Sequence, residues 1–239
     1  FRAGDSGFLT VTVQNMNLVP ARELTVSVSN YYPFSVSTVQ ACKNIELSAA
    51  TAAAGSGESQ VCRWELTCGD ACQTRLERLT KPSAVHPEVQ LSYRSRLQKP
   101  KNSAKILFES SDDFEASSVT RKSMTISNGD LRVVLGYDDT VRADVPSVDM
   151  KLEASNVNTG TLSPEVDLSY SGSFMGLVSN NPCQSIYVPE KSGQQTRTCT
   201  FEIDSAAVTP GTVYNLWLEA SYKYQKTEKV NLNIVPTGG

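Results

Sequence analysis

The chain has 239 residues, 39% of them hydrophobic and 20% charged, with a formal net charge of −3. That length can bury one large β core or two ordinary ones without help from metals. The weakly negative balance excludes bulk nucleic-acid binding, which needs a cationic excess. No apolar run approaches the roughly 20 residues that span a bilayer, so no membrane insertion is expected within the chain.

Taken in order, the elements read as strands. Leu9, Val11 and Val13 alternate with Thr10 and Thr12, and Glu23–Ser29 follows as a second strand. Ala49–Ala54 is alanine-rich, but Gly55-Ser56-Gly57 cuts it to a single turn at most. Cys62, Trp64 and Leu66 share one strand face, and Val89, Leu91 and Tyr93 share another. A basic run at Arg94, Arg96, Lys99, Lys101 and Lys105 surrounds Lys99-Pro100 and reads as a hairpin tip with solvated or edge-protecting cations. Residues 110–140 form a connecting segment, in which Asn128-Gly129 between two alternating runs signals a β-hairpin whose turn residues accept positive φ. Beyond it, Met150, Leu152 and Ala154 alternate with charged residues, and Glu165–Ser171 is a further strand. Leu216, Leu218, Ala220, Tyr222 and Tyr224 line one face of a long strand, and Val230, Leu232 and Ile234 close the chain. No stretch shows a convincing helical period. The expected fold class is all-β, with polar and apolar strand faces suited to a sandwich.

The chain also repeats itself. Phe1-Arg2-Ala3 is echoed by Val141-Arg142-Ala143, and Gln14-Asn15-Met16-Asn17 by Ser155-Asn156-Val157-Asn158. Glu23–Ser29 matches Glu165–Ser171, Cys42 matches Cys183, and Cys62–Leu66 matches Cys199–Ile203. Ser92-Tyr93-Arg94 matches Ser221-Tyr222-Lys223. The implied organisation is β-sandwich copy one at 1–109, the connecting segment at 110–140, and copy two at 141–239. Charge divides unevenly: residues 1–109 hold 12 basic and 9 acidic residues, and 110–140 hold 3 and 6.

Six cysteines accompany a single histidine, with no CxxC, which favours disulfides and an oxidising compartment over zinc. Matching positions in the two copies point to Cys42–Cys62 and Cys183–Cys199, leaving Cys68–Cys72 as a local clip. Each main bridge closes a loop worth roughly 3 kcal/mol in chain entropy.

Catalytic constellations do not assemble. His86 stands alone before Pro87 in a loop, and no GxSxG, HExxH or P-loop motif occurs. Asp112, Asp113, Asp138, Asp139, Asp144 and Asp149 read as solvated loop acids, with Ca²⁺ binding at a junction as the sharper alternative. No enzyme activity, catalytic residue, cofactor-binding residue, metal site or cofactor is expected.

Cys199-Thr200-Phe201-Glu202-Ile203, Val208-Thr209-Pro210-Gly211 and Tyr214–Tyr224 together resemble the immunoglobulin-like β-sandwich modules of prokaryotic, particularly archaeal, cell-surface proteins. The paired cysteines are too close in sequence to be the strand B–F bridge of antibody domains, so the resemblance implies sandwich architecture without a strand order. Tandem repetition, disulfides and the absence of catalytic constellations lead to the expectation of an extracellular structural or adhesive surface component, such as a surface-layer, filament or stalk building block. Self-association or other surface proteins are the expected partners. A glycan- or protein-binding module, or the accessory domains of a secreted enzyme, are the alternatives. Phe1 in place of an initiator Met suggests a processed chain or part of a longer one.

Overall fold

Alternation of apolar and polar residues is carried into strands almost throughout a computed structural model that describes residues 4–51, 57–78, 81, 83–97, 103–163, 165–188 and 193–234. Phe1–Ala3, Ala52–Ala54 and the tip bearing Lys99 and Lys101 lie outside the described residues. In chain order the first strands are β1 (Ser6–Gln14), β2 (Ala21–Ser29), β3 (Ser35–Gln40), β4 (Cys42–Leu47) and β5 (Ser59–Thr67). A helix, α1 (Asp70–Arg78), precedes β6 (Ser83–Val85), β7 (Glu88–Leu97) and β8 (Ala104–Glu109). Then come β9 (Arg121–Ser127), β10 (Leu131–Asp138), β11 (Thr140–Arg142), β12 (Ser147–Asn156), β13 (Thr161–Leu162) and β14 (Glu165–Ser171). The last are β15 (Ser185–Tyr187), β16 (Gln194–Glu202), β17 (Thr212–Lys229) and β18 (Leu232–Ile234). The protein is all-β in class.

Helix α1 departs from the sequence expectation. It has nine residues, about two and a half turns, fewer than the roughly 11–18 over which a 3.6-residue period is read, and among its described side chains Cys72 is buried. Local signals stabilise it instead: Asp70 in the first turn, and Arg75 and Arg78 in the last, complement the helix dipole. The Thr74 hydroxyl donates to the Asp70 carbonyl at 2.9 Å.

The chain condenses into two units, one of residues 1–94 with 225–239 and one of residues 95–224. The divisions fall inside β7 and β17. The boundaries read from the repeat concern sequence; compactness divides the chain in its own way, placing residues 110–140 within the second unit.

In the first unit β5 lies between β1 and β3, while β2 lies between β4 and β7. β18 pairs with β6, Leu232 opposite Val85. Leu9, Val26, Phe34, Trp64, Leu66 and Val85 gather in the core, with Val11, Val13, Leu91 and Val230 half-buried against it.

The second unit is fuller. One sheet runs β16-β12-β10-β9, all antiparallel. The other sets β8 and β14 on either side of β17, with β11 outside β8 and β15 outside β14. The β9–β10 hairpin is an excursion between sheets: the chain leaves β8, adds two strands to the first sheet, and returns as β11 parallel to β8. Every inward side chain of β10 (Leu131, Val133, Leu135, Tyr137) and of β12 (Val148, Met150, Leu152, Ala154) is buried. Rings chain through the core from one sheet to the other. Tyr170 meets Phe201 edge-on at 5.3 Å, Phe201 meets Phe174 at 5.6 Å, and Phe174 stacks on Phe108 at 6.3 Å. Burying each such ring stabilises the fold by about 2–3 kcal/mol.

The hairpin turn differs from the expected positive-φ Asn-Gly form. Asn128 and Gly129 are not among the left-handed residues, and the backbone closes one step later, with Asn128 N–H donating to the Leu131 carbonyl around Gly129-Asp130. The Asn128 side chain makes the turn: its Oδ1 accepts from the N–H groups of Asp130 and Leu131 at 3.0 and 2.9 Å.

Candidate functional site

The cysteines form three disulfides, Cys42–Cys62, Cys68–Cys72 and Cys183–Cys199. Each of the longer two joins a pair of sheets. Cys42 leaves β4 to meet Cys62 in β5, and Cys183, just before β15, meets Cys199 in β16. All six are buried, which removes them from solvent thiol chemistry.

Five of the six acids named from sequence enter separate local bonds. Asp113 accepts from the Ser110 hydroxyl, Asp138 pairs with Arg121 at 3.6 Å, and Asp149 accepts from the Thr200 hydroxyl at 2.6 Å. Asp144 pairs with Arg142. Asp139 accepts from Lys122 and from the Thr120 N–H, and the Lys122 ammonium holds its carboxyl below the usual range. Among the described residues no three His, Cys, Asp or Glu side chains gather as a metal site. Within the basic run, Arg94 pairs with Glu23 and Arg96 with Glu219. His86 is exposed, its Nδ1 2.8 Å from Asn231 Oδ1. Among the described residues no helix is long and apolar enough to cross a membrane.

Two features emerge that composition did not single out. The first is a buried polar cluster at the hairpin tip of the second unit. Asp130, 1% exposed, accepts from the Tyr222 hydroxyl at 3.0 Å and from Asn158 Nδ2 at 2.8 Å. Asn128 Nδ2 donates in turn to the Tyr222 oxygen. Burial pushes the Tyr222 phenol well above its ordinary value. Hydrogen-bonded on several sides, the cluster locks the turn onto β17.

The second is a groove of about 510 Å³ in the first unit. Its wall is β1, and its apolar lining is Val11, Val13, Val26, Val89, Leu91 and Val230. Lys226 and Glu228, paired at 2.6 Å, sit at its rim. Outside the groove, Arg63 lies over the Phe8 ring at 3.6 Å, leaving Phe8 54% exposed. The signal for the groove was present in sequence as a strand, Ser6–Gln14, with no charge and no proline.

No family model, curated protein or solved structure matches the chain.

Proposed function

We propose that this chain is a non-enzymatic extracellular structural or adhesive component, a surface-layer, filament or stalk block built from two tandem immunoglobulin-like modules. The observation that carries the reading is the placement of Cys42–Cys62 and Cys183–Cys199 between facing sheets, deep in the core of each unit. Such bridges persist in oxidising surroundings and hold sheets together when the chain is pulled or heated. Protease shaving and surface biotinylation of cells making the protein, with electron microscopy of the purified chain, test this. Surface label and ordered assemblies are expected; monomers at high concentration with no surface label overturn it.

The alternative, a glycan- or protein-binding module, has one observation in its favour. Tyr31 and Tyr32, in the loop from β2 to β3, are 39% and 67% exposed. Exposed rings on a sandwich-end loop are stacking platforms for sugars or anchors for a protein. A glycan array and cross-linking, each run against Tyr32→Ala, decide it: binding lost in that variant supports the reading, and no hit by either method removes it.

A further inference from the structure

The two units treat equivalent strands differently. By the Asn15–Asn156 match, β1 corresponds to β12, with Val11 and Val13 at the positions of Leu152 and Ala154. β12 has a neighbour on both sides, β16 and β10, and its Leu152 and Ala154 are fully buried. Among the described residues β1 pairs with β5 alone, and Val11 and Val13 remain half-buried above the groove. The outer edge of the second unit's sheet, β9, carries Arg121 and Lys122, charges of the kind that deter strand addition. β1 has no such guard.

We infer that the β1 edge and the groove beneath it accept an extended strand with the alternation of β10, supplied by another polypeptide, which completes the first unit as the β9–β10 hairpin completes the second. Transferring the observed register, in which Val133 lies opposite Ala154 and Leu135 opposite Leu152, sets a donor's valine opposite Val13 and its leucine opposite Val11. Backbone hydrogen bonds along β1 supply affinity, and the apolar side chains entering the groove select the donor's pattern. The residue types that hold β10's turn are also duplicated: Asn17 and Tyr93 occupy the positions of Asn158 and Tyr222. This deepens the assembly reading by naming what one block would receive, and it rests on that reading only for the donor's origin.

The test uses the intact chain and a fluorescein-labelled peptide of residues 129–139. Saturable binding is expected, with slowed amide exchange in β1. Binding should weaken at least tenfold when the peptide carries Val133→Lys with Leu135→Lys, and likewise for the protein variant Val11→Lys. The peptide variants leave the protein untouched, so a folding defect in Val11→Lys cannot obscure the result. Absence of saturable binding, binding indifferent to the peptide changes, or unchanged exchange in β1 overturns the inference. So does a peptide-free dimer in which two β1 edges pair with each other. Loss of surface label in cells would leave peptide binding intact, and loss of peptide binding would leave surface label intact, so the two readings fail separately.

Discussion

Asn15 and Asn156, 141 positions apart, close the same turn with the same bonds. Asn15 Oδ1 accepts from Asn17 N–H at 3.0 Å while its Nδ2 donates to the Val19 carbonyl four residues on at 2.9 Å. Asn156 does likewise with Asn158 N–H at 3.1 Å and the Gly160 carbonyl at 2.8 Å. Both amides are buried. Asn15 goes further, donating also to the carbonyls of Leu47 and Ser48 at 3.2 and 3.0 Å, and so ties the turn to the end of β4.

Removing either amide strands buried backbone groups, at a cost of about 1–3 kcal/mol. Asn15→Ala should fall at the upper end and Asn156→Ala at the lower, because the first loses three carbonyl contacts and the second one. Urea denaturation of both variants checks the order. Equal costs would mean that the Leu47 and Ser48 bonds add nothing.

Loop length sets a second expectation. The bridges Cys42–Cys62 and Cys183–Cys199 close separations of 20 and 16 residues, and Cys68–Cys72 a separation of 4. Replacing each pair by alanine should cost about 3 kcal/mol for either long bridge and about 2 kcal/mol for the short one on chain-entropy grounds. Peptide mapping of the unreduced protein by mass spectrometry should return the same three pairs. A Cys62–Cys68 peptide would overturn both the pairing and the repeat alignment.

These cases show how far the residues alone reach. Strand faces were legible because parity is local: Cys62, Trp64 and Leu66 alternate with Arg63 and Glu65 whatever β5 pairs with, and all three are buried. Pairing register was not legible. Cys62 lies opposite Val11, whereas Cys199 lies opposite Met150, the counterpart of Leu9. The ladders have slipped by two residues, a shift that preserves every face and so leaves no trace in the alternation. The turn at Asn128 was visible but displaced, because its side chain, rather than a left-handed backbone, makes it. The open edge of β1 depends on which strands neighbour it, and only the absence of a counterpart to residues 110–140 in copy one hinted at that.

Phe201 sits between Tyr170 and Phe174, fully buried, and bridges the two sheets of its unit. Phe201→Ala should cost about 3–5 kcal/mol, since the cavity lies among rings that cannot collapse into it. Phe8→Ala removes an equally large ring from an exposed face and should cost about 1 kcal/mol, mainly its contact with Arg63. Urea midpoints of the two variants make the comparison. A mild effect at Phe201 would show that the aromatic chain is not the centre of that core.

Tyr170 and Tyr222 govern the response to alkali. Burial raises both phenols above their ordinary value. In the unfolded chain each ionises near pH 10, as free tyrosines do. Below that pH both states hold the proton, and stability is unaffected. Above it the unfolded chain releases protons that the folded chain retains, so stability falls as pH rises, by about 1.4 kcal/mol per pH unit for each tyrosine. Urea unfolding between pH 9 and 11.5 should show that decline, with absorbance at 295 nm reporting incomplete phenol ionisation while the protein stays folded. Tyr170→Phe should halve the slope, since it removes one of the two groups and gives up only a 3.4 Å bond to the Cys183 carbonyl. Ionisation of every tyrosine near pH 10 in the folded protein, with no loss of stability, would show that these two rings reach solvent.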